Sequence, residues 1–197
     1  GFGIAAQIDG VTIGTGALAE TPERRQVRIG GVAHAASALA EYLSVIWLTP
    51  AMDRLFMDSA GDRRRFLDRL TLALEPGHAV HSTRYEAAMR ARNKLLGDKD
   101  RAWDEAWLGA LEAQMAEHGA AIHTARTELV TQLGDALVGQ AEGPFARPQL
   151  ALSDWEGAER PLEQALHEGR RRDAAAGRTL AGPHRSDLLV THQAKGQ

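Results

Sequence analysis

The stretch "WDEAWLGALEAQMAEHGAAIHTARTELVTQL" (residues 103–133) decides the fold class. Trp103, Trp107, Leu111 and Met115 step by four; after one step of three, His118, Ile122, Ala125, Leu129 and Leu133 continue the row. Apolar residues at that spacing line one side of an α-helix. The run predicts a single helix over roughly residues 100–138, one long arm of a helical hairpin or bundle, with the stripe as core and Trp107 and Leu111 buried in it.

The segments before it are read outward from that helix. Residues 82–96 predict a second helix, ended by Gly97-Asp98. Asp58 or Ser59 caps a third through "GDRRRFLDRLTLAL" (61–74), whose Phe66, Leu67, Leu70 and Leu74 make one face before Glu75-Pro76-Gly77 breaks it. The apolar run "LSVIWLT" (43–49) predicts a buried strand, and Pro50 opens the next helical turn, where its missing N–H costs little. Residues 33–42 suit a short helix. Over residues 1–30, Ile4, Ala6 and Ile8 alternate, Asp9-Gly10 turns, Val11 and Ile13 alternate, "AETPE" (19–23) turns again, and Val27 and Ile29 follow. That is an antiparallel meander.

After the long helix, "AEGPFARP" (141–148) reads as a loop, "QLALSD" (149–154) as a strand, residues 157–175 as a charged helix and Leu188-Leu189-Val190 as a last strand. The fold class is therefore α+β: strands, a large helical part, then strands, with both strand sets expected in one sheet region. The division expected is a β-rich part over 1–49, a mainly helical part over 50–175 and a returning strand within 176–197.

Composition narrows the function. Apolar residues make 44% and charged residues 25% of the chain, ordinary for a globular protein, and the formal net charge is −3. No global positive field draws this surface to nucleic acid, so any such site is a local patch. There are no cysteines, which removes disulfides, thiolate chemistry and Cys-based zinc sites and fits a cytoplasmic protein. No apolar run reaches the ~20 residues of a membrane span. Gly1-Phe2-Gly3 carries neither Met nor a signal pattern and reads as an internal start.

Several motifs fail on inspection. Gly14-Thr15-Gly16 is followed by no phosphate-loop lysine; Lys94, Lys99 and Lys195 precede Leu95, Asp100 and Gly196, so G-K-[ST] occurs nowhere. His78 and His81 lack a third metal ligand nearby, and Ser153-Asp154 lacks a nucleophile-elbow context.

The basic residues say more. Of 23, only those three are lysines; the rest are arginines, whose planar fork suits phosphate and carboxylate. Arg64 and Arg65 project opposite the Phe66/Leu70 stripe, either towards DNA or as a solvated face with Asp68 as partner. Arg63 falls on the stripe side, where a charge needs a partner, and is a candidate for a buried ion pair. "RYEAAMRARNK" (84–94) sets Arg84, Arg90, Arg92 and Lys94 against Glu86 alone, a candidate phosphate-backbone contact or a solvated helix face.

Three segments carry a family resemblance. "WLTPAMDRLFMDSAGDRRRFLDRL" (47–70), "RYEAAMRARNKLL" (84–96) and "RDAAAGRTLAGPHRSDL" (172–188) resemble, in order, three motifs of the RecF family of recombination-repair ATPases. The third corresponds to R-D-x-x-x-G-x-T-x-x-G-P-H-[RK]-x-D-L. One departure is Pro50, followed here by Ala51-Met52-Asp53 where the family carries an acidic residue directly after proline.

The resemblance implies an ABC-type, SMC-like ATPase lobe with a helical second lobe. It implies that the phosphate loop precedes Gly1 and that the signature motif and Mg-binding carboxylates follow Gln197. An internal fragment without ATPase activity of its own is then expected, ATP and Mg being cofactors of the full-length parent. It further implies an ATP-dependent homodimer binding single-strand/double-strand DNA junctions, the recombination mediators RecO and RecR as partners, a bacterial cytoplasmic location, and His184, Arg185 and Asp187 near the nucleotide and signature region. The competing expectation is a helical protein-interaction module without direct DNA contact.

Overall fold

The computed structural model describes residues 1–98, 102–140, 143 and 147–192. The chain divides into two compact units, Gly1–Ile46 and Trp47–Gln197.

The first unit is a four-stranded antiparallel meander in the order β1 (Phe2–Ile8), β2 (Val11–Leu18), β3 (Thr21–Ile29), β4 (Val32–His34). Asp9 and Gly10, at φ 48° and 79°, form the tight turn that pairs Ile8 with Val11. Both positive φ values match the right-handed twist of the flanking strands, which explains an Asp-Gly pair there. Ile13, Ala17, Val27 and Ile29 are the buried residues of this sheet.

The short helix expected over 33–42 is a six-residue 3₁₀ helix, Ala36–Glu41, preceded by the end of β4; Ala35 offers it no side-chain cap and it buries nothing. "LSVIWLT" is not the expected buried strand. Leu43, Val45, Ile46, Trp47 and Leu48 are all exposed, and no ladder partner for the run exists among the described residues. Without one, apolarity alone does not make a strand.

The second unit is built on helices α1 (Ala60–Leu74), α2 (His78–Gly97), α3 (Glu105–Val138) and α4 (Leu162–Ala176). Pro50 opens a 3₁₀ turn through Arg54. The guanidinium of Arg69 in α1 lies 4.8 Å from the ring centroid of Trp47 and 5.7 Å from that of Phe66. This cation–π sandwich ties the entering segment to α1. The Ser59 hydroxyl accepts the Asp62 N–H and caps α1, and the Asp104 carboxylate does the same for Trp107 N–H at the start of α3. α3 spans 34 residues. Residues 99–101, covering part of its expected first turn, lie outside the described residues, as do most of the 141–148 loop and the end of 176–197. No helix among the described residues is long and apolar enough to cross a membrane.

The buried side of α3 is not quite the expected row. An α-helix turns about 100° per residue, so each step of four overshoots a full turn by about 40°. Running back from Met115, that drift carries Trp107 out to the surface, and Leu108 takes the buried place. Trp107 is thus a correction; Leu111, Met115, His118, Ile122 and Leu129 are buried.

Two clusters form the core. Tyr85, Ala88, Leu111, Met115, Ile122 and Leu166 join α2, α3 and α4. Leu67, Leu129, Val130 and Leu188 join α1 and α3 to a second sheet. That sheet pairs β5 (Pro148–Ser153) antiparallel with β6 (Asp187–His192), placing Leu150 opposite Val190 and Leu152 opposite Leu188 on the face that packs against the helices. Among the described residues the strands hydrogen-bond into two sheets, the four-stranded one in the first unit and the two-stranded one in the second.

Candidate functional site

Polar groups gather beneath the turn that leads into β6. Gly182 adopts φ 128° and ψ 173°, a region open essentially to glycine, and an added Cβ would overlap the Tyr85 hydroxyl. Its neighbour Pro183 packs close to Gly119 of α3, where a Cβ would stand 2.8 Å from Leu162 Cδ2 and 3.5 Å from Pro183 Cδ. Two glycines thus let α2, α3 and the turn approach closely enough to share hydrogen bonds.

Arg126 of α3 spans this turn. Its NH1 donates to Pro183 O at 2.7 Å and to Ser186 Oγ at 3.0 Å, while Nε and NH2 grip both oxygens of Asp68 at 2.8 and 2.9 Å. His78 Nε2 lies 2.9 Å from the same Asp68. Burial raises the Asp68 pKa, but the bonds from His78 and Arg126 outweigh it and hold the carboxyl below its usual range.

His184 and Asp187 are equally engaged. His184 contacts the Tyr85 hydroxyl through Nδ1 at 2.8 Å and Thr179 O through Nε2 at 3.0 Å. Burial depresses the imidazole's pKa and pushes the Tyr85 hydroxyl's well up. Asp187 receives both branches of Arg63, Nε at 2.9 Å and NH2 at 2.6 Å, a half-buried bidentate pair. The hydrogen bond to Asp187 raises the Arg63 pKa despite partial desolvation. Arg64 NH1 donates to Ser186 O at 2.8 Å, and Arg185 is exposed.

A second network lies deeper. Arg92, wholly buried, donates to Glu112 at 3.0 Å, Asp173 at 2.7 Å, Thr179 Oγ1 at 2.9 Å and Leu166 O at 2.7 Å. Arg170 adds two bonds to Glu112, at 2.9 and 2.6 Å, and one to Glu105. These bonds, led by that to Glu112, raise its pKa against the opposing effect of burial. Two cations and two buried carboxylates thus balance between α2, α3 and α4.

Arg92 was expected as a DNA-binding candidate, and the structure corrects this. Its guanidinium has no exposed surface and is held on all sides by carboxylates, a hydroxyl and a carbonyl. The others differ. Arg65 is exposed and pairs with Asp62, and Arg90 pairs with Glu86 at 3.2 Å. Arg84 and Lys94 are exposed, with no ion pair among the described residues. The structure brings Arg63, Arg64, His184, Arg185 and Asp187 to one corner; it does not gather Arg64, Arg84, Arg90 and Arg92 onto one exposed surface.

Sequence reasoning missed Asp68, Tyr85, Glu112, Arg126, Arg170 and Asp173 as members of these networks. The signal was available. Arg126 stands between Ile122 and Leu129 on the α3 stripe, and Arg92 between Ala88 and Leu96 on α2, so each is a charge at a core position.

No family model matches the chain. Relatives do. It is 49% identical over 213 residues of alignment, 99% of this chain, to the DNA replication and repair protein RecF of Mesorhizobium japonicum, and 43% identical over 212 residues to that of Brucella suis. The chain is homologous to RecF. It spans about half the length of the RecF relatives it matches, 55% and 54% of these two. A structure of the recombination mediator protein RecF with ATP in the RecFOR pathway superposes on 92% of this chain and 52% of its own, with a TM-score of 0.76 and 19% identity. A second RecF structure from that pathway gives a TM-score of 0.79 over 95% of this chain at 17% identity. At those identities the likeness establishes the fold, which is the α+β fold of RecF.

The RecF resemblance implies ATP and Mg. The residues of this chain do not by themselves fit those groups: the sequence has no G-K-[ST], and among the described residues no set of three or more His, Asp or Glu is placed to hold a metal ion.

Proposed function

We propose that the chain works within a RecF-like protein of recombinational DNA repair, one that binds gapped DNA at single-strand/double-strand junctions, dimerises with ATP and Mg, and helps the mediators RecO and RecR load recombinase. The observation that carries this reading is the match to RecF over 99% of the chain at 49% identity. ATP is held mainly by sequence this chain does not contain, because it has no phosphate-loop lysine. The DNA contact runs through phosphates rather than base edges: Arg65, Arg84, Arg90 and Lys94 lie exposed on helix faces with no recognition-helix pattern.

A salt series tests it. Gapped-DNA binding by the product of the complete reading frame, with ATP, is expected to weaken with a log–log slope of about −0.9 per phosphate contact on duplex. Arg84→Ala and Lys94→Ala are each expected to weaken binding across unrelated sequences and flatten the slope by about one. Affinity and slope unaltered in both, and in Arg65→Ala and Arg90→Ala, move the DNA site away from these helices.

The second reading, a protein-interaction module without direct DNA contact, is favoured by one observation. Arg65 and Arg90 sit in local ion pairs and Arg92 is internal, so the arginines form no continuous basic track. Unaltered DNA binding together with lost mediator binding in the same four variants selects it.

A further inference from the structure

We propose that Arg64 and Arg185 form one binding site for a phosphate group at the outer rim of the Gly182–Ser186 turn. The proposal rests on the RecF-like reading only for its choice of phosphate over other anions.

The argument is one of charge left over. Arg64, Arg126 and Arg185 converge on four residues. Arg126 holds Pro183 O and Ser186 Oγ, Arg64 holds Ser186 O, and Arg185 belongs to the turn itself. The carboxylates in reach are already committed. Asp68 gives both oxygens to Arg126 and is shared with His78, and Asp187 gives both to Arg63. On the far side of Arg63, Asp62 is taken by Ser59 and Arg65. His184 has both ring nitrogens in hydrogen bonds within the turn and with Tyr85. Arg64 therefore hydrogen-bonds to a neutral carbonyl and forms no ion pair of its own, and Arg185 has no ion pair among the described residues.

Arg64 on the carbonyl of Ser186 and Arg185, next to Ser186 in the chain, thus bring two positive charges with spare N–H donors to one turn. Burial lowers the Arg64 pKa, and the neighbouring Arg126 and Arg185 charges lower it further against the opposing pull of Asp187. An anion between Arg64 and Arg185 offsets those charges. A phosphate suits it best, because its several oxygens accept from two planar forks at once. The Arg64 fork is preset by Ser186 O, and the Arg185 side chain is exposed and without an ion pair among the described residues.

The test uses the 197-residue chain in buffer free of phosphate and sulfate, with pyrophosphate as the probe. Because the chain has no G-K-[ST], a nucleotide phosphate loop does not compete for the probe. Calorimetry is expected to show pyrophosphate binding that Arg185→Gln weakens about tenfold or more, the loss of one charge-assisted pair. Arg185→Gln is expected to leave the unfolding midpoint unchanged, since the side chain is exposed. Arg64→Gln is expected to weaken binding likewise, and Arg84→Gln, on another helix, to leave it unaltered. ATP and a short DNA duplex then serve as competitors. Displacement by ATP assigns the site to a nucleotide phosphate, and displacement by duplex assigns it to the DNA backbone. Either outcome supports the site. Absence of pyrophosphate binding, equal binding in Arg185→Gln and Arg64→Gln, or equal competition by glutamate overturns it. The RecF-like reading is judged separately, by gapped-DNA and mediator binding of the complete reading-frame product, and survives if only this site fails.

Discussion

Tyr85 and His184, 99 positions apart in sequence, share a hydrogen bond of 2.8 Å whose direction is fixed by a third group. His184 Nε2 lies 3.0 Å from Thr179 O, and a carbonyl only accepts, so Nε2 carries the ring proton. In the neutral ring Nδ1 is then a lone-pair acceptor, and the Tyr85 hydroxyl donates to it. Protonation of His184 would reverse this bond, the tyrosine oxygen then having to accept, and would place a charge in a buried site.

That relationship sets a pH dependence. The folded pKa of His184 lies below the ordinary value, so the folded state binds fewer protons than the unfolded chain. The stabilising contribution is full above about pH 6.5 and is lost as pH falls from there through the lowered folded value. Urea unfolding from about pH 8 down to about pH 5 is expected to show this loss, and His184→Gln to be less stable at pH 8 but flatter over the range. A variant profile parallel to the wild type assigns the titration to others of the eight histidines.

Gly182→Ala is expected to destabilise the second unit by at least about 1–3 kcal/mol, the strain of a φ of 128° in a residue with a Cβ. The overlap with the Tyr85 hydroxyl adds to this and should break its bond to His184. Thermal unfolding together with the ultraviolet absorbance of tyrosine checks both effects.

Arg92→Leu is expected to cost about 3–5 kcal/mol, because Glu112 and Asp173 lose a buried counter-charge. The cost is one of folding. At temperatures where the variant remains folded, its DNA affinity and salt slope should match the wild type. A selective loss of DNA binding at full stability restores Arg92 as a contact.

Leu111→Ala is expected to cost roughly 2–5 kcal/mol as a cavity in the α2–α3–α4 core, and Leu108→Ala a similar amount. Trp107→Ala, four residues before Leu111 but half-exposed, should cost well under that. Denaturant midpoints of the three variants separate the true buried side of α3 from the row of fours.

The helices were legible because periodicity and caps are local: Ser59, Glu75-Pro76-Gly77 and Gly97-Asp98 mark boundaries close to those observed. The meander was legible from alternation and Asp9-Gly10. The buried arginines were not read evenly. Arg63 was flagged as a charge on an apolar stripe, and its partner proved to lie 124 residues away. The same test applied to Arg92 and Arg126 picks out both, but a dense run of basic residues invites a reading as surface. "LSVIWLT" failed for a different reason. A strand is a relationship between segments, and a single run carries no record of its neighbour.

Arg63 must wait for its carboxylate. At a synthesis rate of about 5–20 residues per second, the 124 positions to Asp187 correspond to roughly 6–25 s on the ribosome. The α2–α3 hairpin joins neighbours in sequence and can assemble in that interval. Arg63 and Arg64 meanwhile lack Asp187 and Ser186, and Arg126, which already has Asp68, lacks Pro183 O and Ser186 Oγ. Until β6 is made, Leu67 and Leu129 also lack Leu188, which packs with them in the folded unit, so this flank of the helices is completed last.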